Sequence, residues 1–128
     1  MIVDKRDIEK YLSEVKEAIR CDRYRLELNE NRQDNRNLFL DYVIDEAKAK
    51  EILLELSVCD FSEILQNKKV EYKHEKLYVF GKDIKLLERL GNNEKEISLY
   101  IKFNKLENGF VFVISFHEQK SPLKYYFK

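Results

Sequence analysis

Long apolar runs are missing from this chain of 128 residues: nowhere does it approach the roughly 18 consecutive apolar residues that span a bilayer. The N-terminal MIVDKRDIEKYL is charged from residue 4 onward and has no apolar stretch of signal-peptide length. A soluble cytoplasmic protein without a membrane partner is expected. Cysteine is scarce as well. Cys21 and Cys59 have no metal-ligand spacing and no histidine close by, which argues against a zinc site and leaves them as reduced thiols in or near the core. No cofactor motif is present. There is one proline, Pro122, in a stretch that reads as a turn, and there are no internal repeats or low-complexity segments. Net charge is missing too, since 24 Lys and Arg balance 24 Asp and Glu. The strong positive field of a typical nucleic-acid binder is therefore absent from the molecule as a whole.

The balance hides an asymmetry. Residues 1–67 carry 11 basic and 16 acidic side chains, whereas residues 68–128 carry 13 and 8. The C-terminal half is the basic one. Forty-four per cent of the residues are apolar, ample for the core of one domain of this length, 1–128.

The periodicity changes along the chain. Ile8, Leu12, Val15 and Ile19 recur at spacings of four, three and four behind Asp4 or Asp7 as a cap, which predicts an amphipathic helix. YRLELNE (24–30) alternates as a short half-exposed strand, and NRQDNRN (31–37), without an apolar residue, reads as a loop. LFLDYVIDEAKAKEILLELSV (38–58) favours two helical segments, with Asp45 capping the second. From residue 69 the period falls to two. KVEYKH (69–74), KLYVFGK (76–82), ISLYIKFN (97–104) and GFVFVISFH (109–117) are the expected strands, the last two joined as an antiparallel hairpin. DIKLLERL (83–90) reads as a helical turn stopped by Gly91-Asn92-Asn93. Helices followed by strands predict an α+β fold, N-terminal helices packed on one face of a C-terminal antiparallel sheet.

Alternation then sorts the side chains by face. Phe110, Phe112, Ile114 and Phe116 form a bulky set expected to meet the helices, which leaves Ser115 and His117 on the open face with Tyr100 and Lys102. Lys82 is placed there too, and Gly81 marks a bulge or a close backbone approach. His74, among lysines and glutamates, reads as a surface residue. Tyrosine, lysine and histidine on an exposed sheet suit phosphodiester chemistry without a metal. Lysine holds the phosphate and offsets charge on the pentacovalent oxygens, and His or Tyr moves a proton to or from the 2′-hydroxyl or the leaving oxygen. Aromatic rings such as Tyr78 can stack an unpaired base.

ILLELSVCDF, LYVFGKD, LYIKF and VISFHEQKSPLKYYFK, in that order over residues 38–128, resemble toxins of the motility quorum-sensing regulator (MqsR) family, in the RelE-like mRNA interferase superfamily. The resemblance implies the toxin of a type II toxin–antitoxin pair: an endoribonuclease that cleaves mRNA, free or on the ribosome, without a cofactor, and that is neutralised by a cognate antitoxin protein. Tyr100 matches the family's tyrosine in the Tyr-aliphatic-Lys strand, and His117 stands after Ser-Phe where some members carry a catalytic lysine. Where the family can have Tyr-Lys after Asp-Phe, this chain has Ser62-Glu63, so that one functional lysine of the family is either missing here or replaced by Lys68 or Lys69. The expected catalytic residues are thus His117, Tyr100 and Lys102, and the expected RNA-binding residues are Lys82, Tyr78, Lys68 and Lys69. The alternative is a non-catalytic mobile-element or phage protein that binds and inhibits a protein partner through the same face or through its acidic half.

Overall fold

A computed structural model of the chain describes residues 2–128. Among them are three helices, α1 (Lys5–Arg20), α2 (Gln33–Asp41) and α3 (Glu46–Leu54), and five strands, β1 (Tyr24–Leu26), β2 (Phe61–Gln66), β3 (Lys76–Leu87), β4 (Glu94–Lys105) and β5 (Val111–Glu118). The fold is α+β. The strands form one sheet in the order β1-β5-β4-β3-β2. It is mixed rather than wholly antiparallel, because β1 lies parallel to β5 through the pairs Tyr24–Val111 and Leu26–Val113.

Helix α1 forms as its spacing predicts. Asp4 accepts a hydrogen bond from the Arg6 amide, and Ile8, Leu12, Val15 and Ile19 are all buried. Asp45 likewise caps α3 by accepting from the Lys48 amide, and Ala49, Ile52 and Leu53 face inward. These helices meet the sheet over Phe61, Phe80, Phe103 and Phe116, each fully buried. Removing such a side chain from water contributes on the order of 2 kcal/mol.

Three expectations about local structure are corrected, and one strand was not expected at all. Residues 33–41, which include most of the expected loop, are helical although only Asn35 and Leu38 are buried. The helix is held from outside: the Asn35 amide donates 2.8 Å bonds to the carbonyls of Glu27 and Ile114, and its oxygen accepts from the Phe116 amide at 2.8 Å. Tertiary hydrogen bonds override weak helix propensity here. Residues 69–74 do not form a strand. Val70 finds nothing to pack on, being 84% exposed, and Val70–Tyr72 is one turn of 3₁₀ helix. DIKLL continues β3, because Ile84 and Leu86 turn to the core side while Asp83 and Lys85 pair across to Ser98 and Glu96. Gly91-Asn92-Asn93 turns the β3–β4 hairpin; the residues that stop a helix also turn a hairpin. Finally, β2 escapes the period-two pattern because a bulge at Ser62 shifts its register between Phe61 and Glu63.

A second bulge decides which way β5 faces. Lys102 pairs with Ser115, but Phe103 pairs with Val113, so Ile114 is the extra residue. Before it, Val111 and Val113 enter the core and Phe112 and Ile114 take the open face; after it, Phe116 enters the core. The expected bulky set is therefore split, and only Phe116 of its four members is fully buried. Ser115 and His117 nevertheless share the open face with Lys102 and Tyr100, their direct cross-strand partners. Beyond the end of β1, the edge of β5 is closed by α2 through Asn35 and a Phe39–Phe116 ring contact.

The sheet face away from α1 and α3 is partly covered by the C-terminal segment 119–128. Gln119 donates to the Leu99 carbonyl, Ser62 Oγ donates to the Lys124 carbonyl, and the Tyr126 amide donates to the Phe61 carbonyl. The expected close approach at Gly81 is real: a Cβ there would press on the Tyr125 hydroxyl, Leu123 and Gln119. Gly81→Ala should destabilise the fold by about 1–3 kcal/mol through overpacking, measured by denaturant unfolding. A variant as stable as the parent would mean that the segment lifts off without cost.

Candidate functional site

The uncovered part of this face is a cleft of about 900 Å³. Leu77, Lys102, Phe112 and Ile114 line it from the sheet; Lys68, Lys69 and Tyr72 come from the 67–75 connection, and Asn31 and Arg32 from the approach to α2. Two loops thus wall a sheet floor.

Lys102 is half-buried in this cleft, and its side chain forms no hydrogen bond or ion pair among the described residues. Burial, then the charges of Arg32 and Lys68, push its pKa below the ordinary lysine value. The side chains of Arg32, Lys68 and Lys69 are also unpaired among the described residues. The acids of the cleft, by contrast, are engaged: Glu27 accepts from Arg25 and Asn29, and Glu75 accepts from Asn67 and Asn104. A neutral protein therefore presents a locally cationic groove.

Beside the groove, Tyr100 and His117 stack with ring centroids 5.3 Å apart and planes inclined by 13°. The His117 Nδ1 lies 2.8 Å from the Glu118 carbonyl oxygen. A carbonyl only accepts, so Nδ1 donates to it, and in the neutral ring the lone pair is then on Nε2. Burial, aided by the nearby Glu63 carboxylate, raises the Tyr100 pKa and keeps the phenol protonated. Arg32 links the two parts, since it lines both the groove and the smaller hollow that holds His117 and Ser115. Asp34, which lines the same hollow, binds Lys120 at 2.8 Å, and that ammonium lowers its pKa.

The structure gathers five of the seven residues expected from the sequence: His117, Tyr100 and Lys102 on the open face, with Lys68 and Lys69 on the groove wall. Tyr78 and Lys82 are not among them, and their placement is corrected. Gly81 pairs with Tyr100 on the open face, so alternation turns Tyr78, Phe80 and Lys82 the other way. Tyr78 stacks on Tyr11 of α1 at 3.6 Å, and Lys82 pairs with Asp60 at 3.8 Å. Tyr78 thus serves the packing of α1, and Lys82 ties β3 to the 3₁₀ turn Val58–Asp60 that precedes β2. Sequence reading missed Arg32, and also Arg25, whose guanidinium lies 4.9 Å from the Phe112 ring. Both come from the acidic half, where charge counting directs attention away from cations.

The chain was compared with protein-family models, with curated proteins and with solved structures, and none matches. The likeness to MqsR toxins rests on the sequence motifs alone.

Lys102 supplies a prediction whose two effects oppose each other. Its lowered pKa means that the charged form costs stability at neutral pH; by linkage, that cost is present below the folded pKa and fades as pH rises through it. Lys102→Met should raise Tm by about 1–2 °C, a small gain because the group is half in water. RNA affinity should fall about tenfold, with the log–log salt slope shallower by about 0.7. Calorimetry and salt-titrated binding check the two halves. A Tm that falls while binding holds would overturn this account of Lys102.

Proposed function

We propose that the chain is a metal-independent endoribonuclease that cleaves mRNA, the toxin of a type II pair with a RelE-like arrangement of sheet and helices. The carrying observation is Lys102: a half-buried lysine without a counter-charge, faced by Arg32 and Lys68, in a groove that runs up to the Tyr100–His117 stack. Retaining such mutually repelling cations costs stability and is offset when a phosphate chain lies between them.

The chemistry follows from the side chains. His117 Nε2 takes the proton of the 2′-hydroxyl, and the freed 2′-oxygen forms a bond to phosphorus. The bond from phosphorus to the 5′-oxygen breaks, and that oxygen takes a proton from water, while His117 later returns its own proton to solvent. Lys102, with Arg32, offsets the charge on the non-bridging oxygens, and the protonated Tyr100 donates a hydrogen bond at the same centre. The products are a 2′,3′-cyclic phosphate and a 5′-hydroxyl.

Induced expression in a bacterial host, with RNA 5′ ends mapped, tests this reading. Growth arrest with new, sequence-biased 5′-hydroxyl ends is expected. Normal growth and an unchanged RNA profile from soluble, folded protein would reject it. That outcome favours the other reading, a non-catalytic protein that inhibits a protein partner. It too has an observation behind it: Leu40, Val43, Leu87 and Leu90 are exposed, and the Val43 amide bonds the Leu87 carbonyl, which brings two of them together away from the groove. Under the nuclease reading the same residues are available to the antitoxin.

A further inference from the structure

An acid in a cationic groove needs a reason, because a carboxylate repels the phosphates its neighbours attract. Glu75 lines the groove with only one oxygen engaged: Oε1 accepts from Asn67 Nδ2 at 3.2 Å and from Asn104 Nδ2 at 3.1 Å. Its Oε2 accepts from no described residue. Next to it, Asn104 is 93% buried, and its Oδ1 has no hydrogen-bond partner. A buried acceptor left unpaired is a costly feature that calls for an explanation. With both amide nitrogens turned to Glu75 Oε1, Glu75 Oε2 and Asn104 Oδ1 are left as two unengaged acceptors on neighbouring side chains.

Adjacent acceptors select for adjacent donors. Among the four RNA bases, only guanine presents two neighbouring donors, N1–H and N2–H₂, on its Watson–Crick edge. Uracil offers one N–H between two carbonyls, and adenine and cytosine each offer an amino group beside a ring acceptor. Surfaces for a planar ring are close by. Phe112, backed by the Arg25 guanidinium, lines the same groove, and Tyr72, 48% exposed, stands on its wall. Lys68 and Lys69 flank them for the phosphates.

We propose that Glu75 and Asn104 form a guanine-reading pocket for single-stranded RNA, with Glu75 Oε2 taking the N1–H and N2–H₂ edge of an unpaired base. The pocket deepens the nuclease reading and rests on it for the presence of an RNA chain. It sets a base preference beside the reacting phosphate without taking part in the chemistry.

Wild-type protein and short fluorescent uridine oligonucleotides with 2′-O-methyl sugars, which offer no 2′-hydroxyl for attack, make the test. The central base is varied, and binding is followed by anisotropy. The guanine oligonucleotide should bind about tenfold more tightly than those with central uracil, adenine or cytosine. Inosine, which lacks the N2 amino group, should lose part of that advantage without any change to the protein. Glu75→Gln should bring guanine to within about twofold of uracil. Equal binding of all four bases overturns the pocket while leaving an RNA-binding groove in place, and reduces Glu75 to a staple for the 67–75 connection. A guanine preference that survives Glu75→Gln also overturns it. Failure of every oligonucleotide to bind folded protein removes the nuclease reading and the pocket together.

Discussion

His117→Ala is expected to lower RNA cleavage by about 10²–10⁴-fold, the range that a positioned general base contributes, while costing the fold no more than about 1 kcal/mol. The ring is half-exposed, and its inward contact is the stack on Tyr100. A purely structural histidine would act through that stack, and His117→Phe separates the two roles. Phenylalanine restores a ring over Tyr100 but has no nitrogen to accept the 2′-hydroxyl proton. If His117 is the base, the Phe variant is as inactive as the Ala variant although its Tm recovers. If Phe restores cleavage, the ring matters only as packing, and the base must be sought elsewhere, first at Glu63, whose charge reaches Tyr100. The assignment of Nε2 as the nitrogen that takes the proton rests on the Nδ1–H donated to the Glu118 carbonyl. That bond comes from the backbone of β5, so side-chain substitution at Glu118 should not disturb it.

The open face was legible where strand alternation is uninterrupted. Leu99, Ile101 and Phe103 point inward and Tyr100 and Lys102 outward, as period two requires. On β5 the same rule reaches the right face for His117 by a route that fails for its neighbours, because Phe112 and Ile114 lie before the bulge and Ser115 and His117 after it. A bulge inserts one residue and reverses the alternation, and nothing in VFVISFH marks where it falls. On β3 the alternation is clean, but both sets are apolar, so sequence could not choose which faces α1; Gly81 could have decided it, since a residue forced small by the overlying C-terminal segment belongs to the covered open face. The cationic groove was half legible. Lys68, Lys69 and Lys102 stand in the basic half, but Arg32 arrives from a polar stretch whose helix exists only because β5 is there to hold it.

That dependence makes Asn35 the residue through which fold and site are most tightly joined. Its side chain satisfies three backbone groups, the carbonyls of Glu27 and Ile114 and the amide of Phe116, each at 2.8 Å, and it is 1% exposed. One of these groups belongs to the extra residue of the bulge and another follows Ser115, so the amide clamps the reversal that sends Ser115 and His117 outward. Asn35→Ala removes the side-chain partner of all three groups, the Phe116 amide buried and the two carbonyls partly so, at up to about 1–3 kcal/mol each before relaxation and water entry. A net loss of about 3–5 kcal/mol is expected, a large part of the 5–15 kcal/mol that holds a domain of this size, with Tm lower by roughly 10 °C or more. Asn35→Asp should be at least as damaging at neutral pH, because a carboxylate oxygen would face two carbonyl oxygens where an N–H₂ now donates. At a temperature where Asn35→Ala is still folded, cleavage should fall further than the folded fraction does, because His117 and Arg32 lose their common support. Thermal unfolding and cleavage measured on the same samples check both parts. A variant of wild-type stability would show that β5 keeps its bulge unaided; a destabilised variant with full activity per folded molecule would detach α2 from the site.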